Sequence, residues 1–158
     1  MRPIPFRLVP FLHLTLAALA AAPCARADDV RVTVLAITAT NQNQDVNPKL
    51  KEIAREVQKY EPTLTGFKLG QTTVKTLNVG QKVSFDLVDG EKTDITVLAK
   101  DDSRQRVTLA FKPPLVGEIT YSISYGKYFP LVTRYLTKNE KERLIVAIMV
   151  KPVAKESR

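Results

Sequence analysis

Four carboxylates fall close together at Asp86, Asp89, Glu91 and Asp94 in the stretch DLVDGEKTD, and the chemistry they could carry is oxygen ligation of a hard cation. Calcium takes about six to eight oxygens, and its loop sites alternate their ligands around an obligatory glycine. DLVDGEKTD does not keep that spacing, and Asp86 alternates away from Asp89 around the turn, so a solvated hairpin tip is expected here and no metal site. Asp101 and Asp102 are adjacent and followed by Ser103. A glycosidase sets one carboxyl on each side of the scissile bond, about 5–9.5 Å apart, which neighbours in a single turn do not provide. Gly126-Lys127 hints at a phosphate loop. The pattern G-x-x-x-x-G-K-[ST], however, needs glycine where Tyr121 stands and Ser or Thr where Tyr128 stands. Gly126 is therefore expected to be a bend between strands.

Aromatic area concentrates in the last third of the chain, with Tyr121, Tyr125, Tyr128, Phe129 and Tyr135 close to Lys127 and Arg134. Such a group can stack sugar rings or anchor a protein partner. Strand alternation sends Tyr121 and Tyr125 toward the core face with Ile119 and Ile123. The candidate binding surface read from the sequence is Tyr125, Lys127, Tyr128, Arg134 and Tyr135.

The N-terminus limits the chemistry further. Arg2 and Arg7 precede an apolar run from Leu8 to Ala22, which is shorter than the roughly 20 residues a membrane-spanning helix needs. Ala25 and Ala27 then offer small residues at the −3 and −1 positions of a cut before Asp28, so residues 1–27 read as a secretory signal peptide. Lipidation of Cys24 is not expected, because Pro23 occupies the position that a small residue fills before a modified cysteine. Membrane association follows only if the segment stays uncleaved. His13 and Cys24 are the chain's only histidine and cysteine, and there is no tryptophan. The exported chain, 28–158, thus lacks the side chains for a Ser-His-Asp triad, a Cys-His pair, a disulfide or a His/Cys zinc site. No cofactor motif is read. Removal of Arg2, Arg7 and Arg26 lowers the formal charge of +8 to a moderate +5 with no block of like charges. Nucleic acid is not an expected partner.

One helix is expected, over 48–59. Asn47 caps it, Pro48 takes its first position, and Leu50, Ile53, Ala54 and Val57 form one apolar stripe. Strands are expected at 30–39, 65–69, 72–79, 82–88, 92–100, 104–112, 118–125, 128–136 and 143–150, broken at glycines and polar turns. Around Asp89-Gly90, a loop of Val88 to Gly90 keeps Val83, Phe85 and Leu87 on the same face as Ile95, Val97 and Ala99, and sets Asp86 opposite Lys92. Val107, Leu109 and Phe111 join that face if the next turn also has an odd count, such as Asp102 to Arg104. The segments at 34–37 and 144–150 are apolar on both sides and should be covered on both faces. The expected fold is α+β and predominantly antiparallel: a two-sheet sandwich, or alternatively a partly open barrel, with one amphipathic helix closing an end or side. The whole of 28–158 reads as a single β-rich domain.

The succession of VLAI at 34–37, NPKLKEIAREV at 47–57, TGFKL at 65–69, YGKYFPLV at 125–132 and LIVAIMV at 144–150 resembles small, signal-bearing, functionally uncharacterised proteins of planctomycete and myxobacterial type. TKNEKE at 137–142 departs from the glycine-rich turn that such proteins often carry there. The resemblance implies a β-rich fold and an export route, and no activity. The expected function is an exported, non-enzymatic binding module of the cell envelope or surface, secreted or periplasmic, whose partner is an envelope protein. The alternative is a binder of anionic polysaccharide or lipid headgroups. A carboxylate- or metal-dependent hydrolase comes third.

Overall fold

The computed structural model describes residues 29–138 and 141–153. The signal-peptide expectation, with Cys24, Ala25, Ala27 and Asp28, lies outside the described residues.

β-Branched and apolar residues without a polar face make strand β1, Val30–Thr40. Its even positions Val30, Val32, Val34 and Ala36 enter one hydrophobic cluster, whereas Leu35, Ile37 and Ala39 enter another. After β1, Asn47 Oδ1 accepts from Lys49 N at 3.0 Å and opens a 3₁₀ turn, Pro48–Leu50, leading into helix α1, Lys51–Gln58. Then come β2, Gly66–Leu77, β3, Lys82–Asp86, β4, Lys92–Asp101, β5, Arg106–Lys112, β6, Ile119–Ser124, β7, Tyr128–Leu136, and β8, Arg143–Pro152. They form two four-stranded antiparallel sheets, β2-β1-β8-β7 and β3-β4-β5-β6. The sheets face each other as a sandwich, and no closed barrel forms among the described residues.

The position of α1 explains the doubly apolar strands. Ile53, Ala54 and Val57 pack on Leu35, Ile37, Ile145 and Ala147, so the helix covers the outer face of the first sheet rather than an end of the sandwich. β1 and β8 are central strands, buried between the second sheet on one side and the helix on the other. Between the sheets, Phe85, Ile95, Leu109 and Phe111 meet Val34, Leu144, Val146 and Ile148.

Two strand expectations change. Gly70 does not end a strand: β2 runs through it, and the ladder passes from Ala36↔Gln71 to Ile37↔Leu69, leaving Gly70 as the bulged residue. A Cβ there would lie 2.5 Å from Val88 Cγ1 and 3.2 Å from the Ala36 carbonyl, so the position has no room for a side chain. The second change concerns parity. Asp86 does pair with Lys92 across the Val88–Gly90 turn. Asp101 pairs with Arg106, however, so the next turn has the even span Asp102–Gln105. Parity is restored by a bulge at Leu98, which lies between the pairs Val97↔Leu109 and Ala99↔Thr108. Ile95 and Val97 therefore stay in the core while Ala99 is exposed.

Candidate functional site

A groove of about 730 Å³ lies between α1 and the β7 edge of the sandwich. One wall is Glu52, Ile53, Glu56 and Val57, which the i, i+4 spacing aligns on one flank of α1, continued by Tyr60 in the turn that follows the helix. Its opposite wall is the stretch Gly126–Pro130 with Val132, joined by Tyr121 from β6.

Gly126, at φ +72°, makes the bend expected of it and carries the chain from the edge of the second sheet to the edge of the first. Its N–H donates to the Val150 carbonyl at 2.9 Å, which fixes Lys127 beside β8. Because β6 and β7 are both edges, their aromatic residues meet at the rim between the sheets. Tyr121 stacks on Phe129 with ring centroids 4.2 Å apart and planes 24° apart, and Phe129 in turn meets Phe111 edge-on at 6.1 Å. Tyr121 does point to the core side, as its alternation with Ile119 and Ile123 predicts, but at a sheet edge it keeps 46% of its surface exposed. Tyr60 is 80% exposed at the far end of the helical wall. Tyr128 is half-buried against the helix-side core, and that burial pushes its phenol above the ordinary value.

The five residues of the sequence-read surface do not form one patch. Lys127 and Tyr128 line the groove. Tyr125 turns inward at the end of the sandwich, where its hydroxyl donates to Asp102 at 2.8 Å. Its phenol is raised far above the usual range, first by burial and then by that carboxylate. Arg134 and Tyr135 sit near the other end of β7, roughly 20 Å along the strand from Tyr128. There the Tyr135 hydroxyl lies 3.5 Å from Asp89 Oδ2, which also accepts from Lys138 N at 2.9 Å. Sequence reasoning missed Tyr60 and Glu52 as groove residues. The helix flank 52/56/60 was visible in the sequence, but nothing in it said that β7 would run alongside.

The acidic groups are occupied in holding turns and strands. Asp86 pairs with Lys92 at 3.5 Å. Asp94 accepts from the Ser84 hydroxyl and pairs with Lys82 at 3.2 Å, and these two contacts, in that order, lower its pKa. Asp101 accepts from Ser103 at 2.6 Å and from Arg104 N at 3.1 Å, which depress its carboxyl. Asp102 is depressed by the Tyr125 hydroxyl and then by Lys100, 3.1 Å away. Among the described residues no group of three or more acidic, His or Cys side chains is placed to hold a metal. Glu52 and Glu56 both line the groove, but they share one wall, and Glu56 is tied to Lys59 at 2.6 Å. Carboxyls on one helical flank do not straddle a bond laid in the groove.

The strand edges differ in how open they are. β7 carries Pro130, which removes a donor, and its ladder is interrupted between Val132 and Leu136, where Thr133 Oγ1 donates to the Leu144 carbonyl at 2.8 Å. These features work against an added strand along β7, and side-chain recognition remains as what the groove offers a ligand. No family model matches the chain, and no curated protein or solved structure matches it either.

Proposed function

We propose that this protein is an exported, non-enzymatic binding module of the cell envelope or surface that takes its ligand in the groove between α1 and β7. The observation that carries the reading is the groove itself, an open cleft whose walls present Tyr60, Tyr121 and Tyr128 beside Lys127. Exposed aromatic rings with a polar end recognise ring-shaped or extended ligands by face contact at little entropic cost. Two further points support the non-enzymatic part. The groove side chains include no nucleophile beside a base, and its two carboxylates stand on the same wall. Export rests on the signal-like segment 1–27, with the cut expected between Ala27 and Asp28.

The test is a titration of isotope-labelled protein with neutral oligosaccharides, acidic oligosaccharides and proline-rich peptides, followed by amide shifts. At least one class is expected to move amides in 52–60 and 126–132 and leave the Asp101–Gln105 turn still. Shifts confined to other regions would overturn the groove assignment. Release of reducing ends or of cleaved peptide during the titration would overturn the non-enzymatic reading. Intact mass of the native protein is expected to begin at Asp28; an uncleaved or lipidated mass would overturn the export scheme.

A further inference from the structure

We infer that the groove continues onto a cationic corner formed by Arg31, Lys127 and Lys151, and that its ligand is an acidic polysaccharide whose sugar rings lie on the aromatic wall and whose anionic groups meet these cations.

Arg31 and Lys151 are direct register partners in the β1–β8 ladder. Val30, Val32 and Val150 on either side of them point into the inter-sheet core, so both charged side chains project from the opposite, outer face of the sheet, and both are exposed. Like charges directly opposite each other in a ladder destabilise it. Lys59, Lys68, Lys82, Lys92, Lys100, Arg104 and Arg143 each pair with a carboxylate. Exposed basic residues such as Lys49, Lys51 and Arg55 form no such pair among the described residues, so the like-charge register pair is what sets the corner apart. Among the described residues Arg31, Lys127 and Lys151 pair with none, and the cross-strand neighbour of Arg31 on β2 is the neutral Thr76.

Lys127 links this corner to the groove. It lines the groove, and the Gly126 N–H bond to Val150 sets it next to the strand that bears Lys151. The helical wall carries Glu52 and Glu56, the latter tied to Lys59. An anion is therefore called for on the opposite wall, where Lys127 lies close to Tyr121 stacked on Phe129 and borders the strand that bears Lys151. A chain of sugar acids satisfies the cations and the aromatic stack at once. A flat lipid headgroup layer meets the cations but does not enter the cleft, and Pro130 in the edge strand disfavours an added peptide strand.

This inference rests on the groove reading above, and the experiment separates the two. Binding of the purified protein to polygalacturonate is compared with binding to its fully methyl-esterified, neutral form and to phosphatidylglycerol vesicles. The acidic polymer is expected to bind roughly tenfold tighter than the neutral one at low salt, with the difference disappearing at high salt. Arg31→Gln with Lys151→Gln should reduce acidic-polymer affinity to the level of the ester, and Tyr121→Ala should weaken both polymers. Equal affinity for the two polymers overturns the acidic ligand and leaves the groove standing. Charge variants that abolish binding while Tyr121→Ala changes nothing overturn the groove as well. Binding to vesicles alone overturns the inference in favour of a lipid surface. Binding to none of the three overturns it outright, and the amide titration then decides the groove on its own.

Discussion

Tyr121 on β6 stacks on Phe129 on β7 at 4.2 Å, and this contact joins the edge of one sheet to the edge of the other. The pair lies where the chain changes sheets at Gly126, so a single stack closes the open side of the sandwich and forms a wall of the groove. Fold and proposed function therefore share a residue. Aromatic pairs of this kind contribute about 0.5–1.5 kcal/mol beyond their buried area. Tyr121→Ala is expected to lower stability by about 1 kcal/mol in chemical denaturation, and Tyr121→Phe to keep most of it. Ligand binding in the groove should be lost in the first variant and retained in the second.

A trade between stability and binding is expected at the cationic corner. Arg31→Glu converts a like-charge cross-strand pair with Lys151 into an opposite-charge pair, a change worth roughly 0.2–1 kcal/mol in the stabilising direction. The variant should melt slightly higher than the parent at low salt, lose that advantage at high salt, and bind polygalacturonate no better than the neutral ester. A lower melting temperature at low salt would show that Arg31 and Lys151 do not repel each other.

Gly70 gives a test of the bulge. Gly70→Ala places a methyl 2.5 Å from Val88 Cγ1, in the turn between β3 and β4, and is expected to cost about 1–3 kcal/mol by overpacking. Val88→Ala removes the clashing atom. The double variant should recover part of the loss, giving a positive coupling in a double-mutant cycle; strictly additive losses would mean that the two positions do not touch.

The Tyr125–Asp102 bond predicts pH dependence at both extremes. The folded protein holds the Asp102 carboxyl below the ordinary carboxylate value, so the stability it contributes is present above the unfolded pKa and is lost as pH falls through the depressed value. The Tyr125 phenol is raised from 10.0 by burial and by Asp102, so its contribution is complete below about pH 10 and is lost as pH rises further. Tyr125→Phe should flatten both limbs of the melting-temperature profile, the acid limb below about pH 4 and the alkaline limb above about pH 10. An unchanged profile would contradict the bond.

Much of the fold was legible from residue patterns, and the losses have identifiable physical causes. The Asn47 cap, the stripe Leu50/Ile53/Val57 and the Val88–Gly90 turn depend on neighbours in sequence, and each appears where its pattern places it. The two bulges did not show. Gly70 is used for a close approach to Val88, a residue distant in sequence, and Leu98 corrects the parity of an even turn. Glycine alone cannot distinguish a strand end from a bulge, and Leu98 carries no bulge signal at all. The site was half legible. Lys127 and Tyr128 belong to the groove, but Tyr60 and Glu52 reach it only because α1 lies on the outer face of the first sheet, and Arg31 meets Lys151 only through the β1–β8 register. Long-range pairing makes the site, and that pairing is not written in local spacing.

The most direct measurement of the central claim uses the five tyrosines as reporters. With 3-fluorotyrosine incorporated throughout and each resonance assigned by substitution, polygalacturonate oligomers are titrated in and the fluorine shifts are followed. Tyr60, Tyr121 and Tyr128 should move together with one saturating affinity, whereas Tyr125, held by Asp102, and Tyr135, beside Asp89, should stay in place. Movement of Tyr125 or Tyr135 with the groove tyrosines silent would contradict the account.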